Sequence, residues 1–178
     1  MTMHRNFLPV LLALATAGAQ AHVALEHQAA PAGSSYRATF QVGHGCGAAP
    51  TRQLSVAVPP GIADAHPMPK PGWSLDIQRE KLAQPVVRDG RTVTDRVARI
   101  TWTAKTPADM LPGEQYDEFV LAARLPAEPG TLYWPVTQVC EPGRADWVEV
   151  PAPGQWPHDL KHPAPALEIL PAAGGAHH

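Results

Sequence analysis

Apolar and polar residues alternate in short runs along most of the chain. Tyr36, Ala38, Phe40 and Val42 are interleaved with Arg37, Thr39 and Gln41, and Leu54, Val56 and Val58 repeat the pattern before Pro59-Pro60-Gly61. A period of two sends alternate side chains to opposite faces of an extended chain, so each run predicts a half-buried strand. Trp73, Leu75 and Ile77 follow a turn-rich stretch at 67–72, and further runs occupy 97–103, 118–125, 132–139 and 147–150. Short strands divided by proline and glycine predict an all-β, two-sheet β-sandwich of about seven to nine strands. One late apolar run, residues 166–170, fits an added edge strand.

Parity within the runs assigns faces. In 118–125 the set Phe119, Leu121, Ala123 and Leu125 is expected in the core, which turns Glu118 to the opposite face. In 147–150 the pair Val148 and Val150 is the expected core set. That puts Trp147 on the polar face with Glu149, half-covered by a loop or serving as a binding platform.

Composition narrows the fold class. The 178 residues include 21 prolines and 14 glycines. Each interior proline costs a helix a hydrogen bond and clashes with the preceding turn, so helical bundles and doubly wound parallel sheets are excluded. The net charge of −2, with no cluster of Lys and Arg, gives no electrostatic footprint for nucleic acid. No Ser/His/Asp order, phosphate loop or paired-carboxylate pattern points to a hydrolase or transferase.

Residues 1–21 read as a signal peptide. His4 and Arg5 precede an apolar run over 7–17, and Ala19-Gln20-Ala21 is a small-residue cleavage pattern. The run is well short of the ~20 apolar residues that a membrane span needs, and no later stretch is long or apolar enough to cross a bilayer. A periplasmic or otherwise exported domain over 22–170 is expected, followed by a flexible tail over 171–178 that ends in His177-His178.

Cleavage after Ala21 makes His22 the first residue of the mature chain. Its amine and its imidazole Nδ1 can then close a chelate ring on one metal. Such a nitrogen-rich pair suits Cu(II), which prefers tetragonal N/O sites. An α-amine with a pKa of ~7.7–8.0 gives up its proton to a metal near neutral pH. Cys46 and Cys140 are the two cysteines of the chain. An even count in an oxidising compartment favours a disulfide over a pair of thiolate ligands.

Several segments then fit one pattern in order. They are His22-Val23-Ala24-Leu25-Glu26, Ala32-Gly33-Ser34-Ser35-Tyr36, Val42-Gly43-His44-Gly45-Cys46 and Pro67-Met68-Pro69-Lys70-Pro71-Gly72-Trp73. Asp117-Glu118-Phe119, Leu125-Pro126, Trp134-Pro135-Val136-Thr137-Gln138-Val139-Cys140-Glu141 and Asp146-Trp147 complete it. From His22 to about Leu170 the chain resembles the YcnI-like family of exported bacterial copper-binding domains. The resemblance implies a sandwich related to fibronectin type III and cupredoxin-like folds, with one Cu(II) per chain. It also implies a single-histidine brace: the amine and Nδ1 of His22 with the carboxylate of Glu118, and Trp147 capping the open axial side. The implied role is copper homeostasis, as a non-enzymatic carrier or metallochaperone that exchanges copper with another periplasmic protein or a membrane transporter. Some family members end in a membrane anchor, whereas this chain ends in a Pro/Gly-rich tail.

Other residues compete for these roles. Asp117 replaces Glu118 if the strand register slips by one. His27 is a second ligand if the first strand bends, although a solvated histidine is the plainer reading. His44 fits packing or a supporting hydrogen bond better than ligation. His66 and Met68 offer a soft imidazole and thioether for transient Cu(I), although a shaped proline-rich loop is the plainer reading. His158 and His162 flank proline-rich coil and are expected to be exposed. A copper oxidoreductase with a brace-like site, or a metal-free interaction module, are the alternatives to a carrier.

Overall fold

The structure is a computed structural model, described for residues 22–62, 64–88 and 90–172. The expected signal peptide, and the tail's His177 and His178, lie outside the described residues. Among the described residues the chain forms β1 (Ala24–Leu25), β2 (Ala29–Pro31), β3 (Ser35–Val42), β4 (Thr51–Ala57), β5 (Ala65–Pro67) and β6 (Trp73–Arg88). Then come β7 (Arg91–Ala104), β8 (Asp117–Arg124), β9 (Gly130–Tyr133), β10 (Val136–Cys140), β11 (Arg144–Trp147) and β12 (Ala166–Leu170). Two single-turn 3-10 helices, Pro107–Asp109 and Pro157–Asp159, are the helical elements.

The all-β expectation holds. The strands form a four-stranded sheet ordered β1-β3-β8-β5, a five-stranded sheet ordered β11-β10-β4-β7-β6 and a three-stranded sheet ordered β2-β12-β9. The strand number exceeds the expected seven to nine because β1, β2 and β5 are two- or three-residue pieces too short for periodicity to mark.

The core lies between the two larger sheets. Phe40, Phe119 and Leu121 of the first meet Leu54, Val56, Ile100, Trp102 and Val136 of the second, all almost fully buried. Phe119 stands edge-on to both Trp73 and Trp102, at ring centroids 5.0 and 5.7 Å apart, the arrangement that aromatic quadrupoles favour. Leu167 and Ile169 of the third sheet join the same core.

Two sequence expectations change here. The run 132–139 is two strands in different sheets, β9 and β10. Pro135 carries no N–H to continue a ladder, and the chain changes sheets at that point. Trp134 N–H donates to Pro165 on the side of the third sheet, while Pro135 C=O accepts from Ala57 in the five-stranded one. The run 166–170 is the middle strand of the third sheet and not an edge, parallel to β2 and antiparallel to β9. Its apolar pattern could not reveal β2, a strand of Ala, Ala and Pro.

Cys46 and Cys140 form the expected disulfide, across a sequence separation of 94. It ties the loop after β3 to the end of β10. That loop is tight: a Cβ on Gly45 would stand 1.8 Å from the Ala49 carbonyl oxygen. Replacing both cysteines by serine should lower stability by ~2–5 kcal/mol, as for other native disulfides in small exported domains, measured by urea unfolding.

Tyr36 supplies a second test. Its hydroxyl donates to the His27 carbonyl at 2.5 Å, and burial, assisted by the negative charge of Glu26, pushes the phenol from its ordinary 10.0 up to about 12. A folded-state pKa raised above the unfolded one stabilises the fold fully below pH ~10, and that contribution disappears as pH rises toward ~12. Ultraviolet titration should include a phenolate with a midpoint near 12, and Tyr36→Phe should remove that component.

Candidate metal centre

Short strand β1 positions the start of the expected mature chain. Val23 and Leu25 are buried in the core, and β1 pairs with β3 through Ala24↔Gln41 and Leu25↔Phe40. With its two apolar neighbours fixed, His22 is held at the end of an edge strand and is half-buried. Its ring centroid lies 5.2 Å from that of Trp147, inclined at 41°.

Trp147 terminates β11, the edge strand of the other large sheet. It is buried, at 8% exposure, while Val148 and Val150 are 44% and 50% exposed. This reverses the expected parity. The pairing Val136↔Trp147 puts the tryptophan on the face of Val136, and Val136 is fully buried. The strand then stops: the N–H groups of both Val148 and Glu149 donate to the His162 carbonyl, each at 3.0 Å. The chain bends there, so counting alternation through residue 150 carries the wrong face forward.

Polar contacts fix the indole. Trp147 Nε1 donates to Gln138 Oε1 at 3.3 Å. Gln138, itself 2% exposed, donates from Nε2 to the His44 carbonyl at 2.9 Å and to Thr51 Oγ1 at 2.7 Å. The Trp147 ring also meets the His162 ring at a centroid distance of 5.2 Å. His162 is therefore half-buried, not an exposed coil residue as expected. The proline-rich segment folds back along β11, with His162 N–H donating to Glu149 Oε2 at 2.6 Å.

Glu118 occupies the second position of β8. The pairings Ala24↔Gln41 and Gln41↔Glu118 run in one row across three strands, so Glu118 shares the outer face with Ala24 and Gln41. Directly paired residues project to the same face; His22 lies before β1, outside this ladder. Tyr116 Oη donates to Glu118 Oε1 at 2.6 Å, and this hydrogen bond is the largest cause of a raised Tyr116 pKa. The phenol thus stays a protonated donor to the carboxylate. Asp117, the rival, has another partner: its Oδ2 lies 2.6 Å from Lys70 Nζ, while its Oδ1 accepts from the Glu118 N–H at 2.8 Å. Lys70 also lies 4.9 Å above the Phe119 ring.

The remaining histidines are dispersed. His27 is largely exposed beside Glu26. Nδ1 of His44 pairs with the Gly45 carbonyl at 2.8 Å. His158 stacks on exposed Trp156 at 6.0 Å. Among the described residues, no three His, Cys, Asp or Glu side chains cluster closely enough to hold a metal ion. The geometry places His22 with Trp147 and Glu118 with Tyr116.

Sequence reading missed Gln138, Tyr116 and His162. Gln138 had a signal, because it stands between Val136 and Cys140 on an inward-facing set, and a buried polar residue needs partners. Neither Tyr116 nor His162 had one, since each acts through a neighbour that only the folded loops supply.

The fold is an immunoglobulin-like β domain in which His22, just before β1, meets Trp147 at the end of β11. The chain belongs to the family DUF1775, a domain of unknown function that is the YcnI-family domain, and the match runs over residues 22–169. A crystal structure of an uncharacterized protein from Nocardia farcinica, which has an immunoglobulin-like fold, superposes with a TM-score of 0.64 at 25% identity, covering 85% of this chain and 99% of that one. The crystal structure named "Putative membrane anchored protein from Corynebacterium diphtheriae" aligns at a TM-score of 0.42 and 9% identity, over 89% of this chain and 35% of that one. No curated protein matches the sequence. No helix among the described residues is long and apolar enough to cross a membrane.

The polar contacts at Trp147 yield a prediction. Gln138→Leu leaves the indole N–H and Thr51 Oγ1 without this partner inside the core, at a cost of ~1–3 kcal/mol. The Trp147 indole N–H resonance should shift by NMR, whereas that of exposed Trp156 should not.

Proposed function

We propose that the exported domain carries one Cu(II) at its amino terminus, held by the amine and Nδ1 of His22 and by the carboxylate of Glu118, beneath Trp147. The observation that carries this reading is the approach of His22, beside an edge strand of one large sheet, to Trp147 on an edge strand of the other, at 5.2 Å between rings. The family match beginning at residue 22 supports it, because cleavage at that boundary would free the amine.

Each neighbour then has a task. Tyr116 orients the Glu118 carboxylate by donating to Oε1, which leaves Oε2 for the metal. Lys70 engages Asp117, so the adjacent carboxylate does not compete. Trp147, fixed through Gln138, is a rigid apolar wall that restricts approach of water and foreign ligands. Bound there, copper would supply a positive charge for which the carboxylate is the counter-ion. A walled site with one histidine suits holding and transfer better than turnover, which requires an open coordination position. The role is therefore a carrier or metallochaperone in copper homeostasis and not an enzyme. Its partners would be another periplasmic copper protein or a membrane copper transporter, with no nucleic acid involved.

A Cu(II) titration by electron paramagnetic resonance tests this. Protein beginning at His22 should show one nitrogen-rich signal. One extra residue before His22 should abolish it, because a peptide nitrogen replaces the amine. The His177-His178 tail is common to both proteins and cancels. Equal binding by the two proteins would move the site elsewhere. In the His22 protein, Trp147→Phe should change the spectrum more than the stability.

A further inference from the structure

We propose a second, soft-metal site on the outer face of the four-stranded sheet, in which His66 Nδ1 and the Met68 thioether bind Cu(I). Its evidence is separate from that for the amino-terminal site. Strand β5 lies at the sheet edge with Ala65↔Ala123, His66↔Ala122 and Pro67↔Leu121. Ala65, Leu121 and Ala123 are in the core, so His66 points outward with Ala122. Met68, two residues on, has the same parity, and its N–H donates to the Val120 carbonyl at 2.8 Å. On the other side its carbonyl accepts from Trp102 Nε1 at 3.2 Å. Pro67 and Pro69 restrict the backbone around it. The segment is thus pinned, and it presents an imidazole and a thioether on one face with Cα atoms ~7 Å apart.

Both side chains line one open cleft of about 420 Å³, with Tyr36, Arg37, Val120 and Ala122. Met68 remains 48% exposed there. His66 Nε2 hydrogen-bonds Asp64 Oδ2 at 2.9 Å. A carboxylate on one ring nitrogen favours the tautomer that leaves the lone pair on the other, an arrangement common to metal-ligating histidines. Thioether plus imidazole selects a soft monovalent ion such as Cu(I) over Zn(II) or Cu(II), which favour nitrogen and oxygen donors.

The test uses Ag(I), a redox-inert stand-in for Cu(I), added as nitrate in chloride-free buffer to the full mature chain. Beyond the signal peptide the chain has two methionines, Met68 and Met110, so methyl NMR carries its own control. One equivalent should move the Met68 methyl and the His66 ring signals and leave the Met110 methyl in place. Met68→Leu and His66→Asn should each weaken that binding at least about tenfold, with the Cu(II) signal of the amino-terminal site unchanged. The site would be overturned by an unmoved Met68 methyl, by equal affinity in both variants, or by the absence of Ag(I) binding. None of these outcomes bears on the amino-terminal Cu(II) site, whose failure would show in the resonance titration alone.

Discussion

The eight-residue pairing of β3 with β8, from Ser35↔Arg124 to Val42↔Asp117, is the constraint on which the other features rest. It is locked from the inside by Phe119, wedged edge-on against Trp73 and Trp102. A strand has a side-chain period of two, so a slip of one residue would pull Phe119 out of the core and exchange the faces of Asp117 and Glu118. The aromatic cluster therefore does more than bury area. It determines that Glu118 lies in the row of Gln41 and Ala24, and that Asp117 meets Lys70.

A second dependence joins the two large sheets. Trp147 comes from an edge of one sheet and His22 from an edge of the other. The indole is anchored by a buried glutamine that also holds the His44 carbonyl and Thr51. The disulfide fastens the same loop, through Cys46. Buried polar groups of this kind are costly unless satisfied, and once satisfied they specify a single arrangement. The loop, the late strand and the amino terminus are thereby held in one relation that apolar packing alone would leave looser.

Much of this was legible in the sequence, for identifiable reasons. The core sets of β3, β4 and β8 followed from uninterrupted alternation, and the disulfide followed from two cysteines in an exported chain. The face of Trp147 did not follow. Parity is set by pairing with Val136, and the strand ends at a bend made by the His162 carbonyl, some fifteen residues downstream in coil. The central place of β12 was hidden for a similar reason, because its partner β2 carries no strand signal. Family resemblance pointed to His22, Glu118 and Trp147, and of these a ring contact joins His22 to Trp147. Only coordinates could bring Tyr116 to Glu118, and Gln138 and His162 to Trp147, since short polar loops have no period to read.

The outer face of β8 gives the two proposed sites a common frame. Glu118, Val120 and Ala122 succeed one another on that face, ~7 Å apart, and the chain from Asp64 to Lys70 runs alongside them. Lys70 donates to the Glu118 carbonyl, Met68 to that of Val120, and His66 pairs with Ala122. A donor set of nitrogen and oxygen at one end of this track is matched by one of nitrogen and sulfur beside it. The two proposed sets differ in donor softness: a thioether favours Cu(I), whereas nitrogen with carboxylate oxygen favours Cu(II). A single strand supports both proposals by presenting a different partner every second residue.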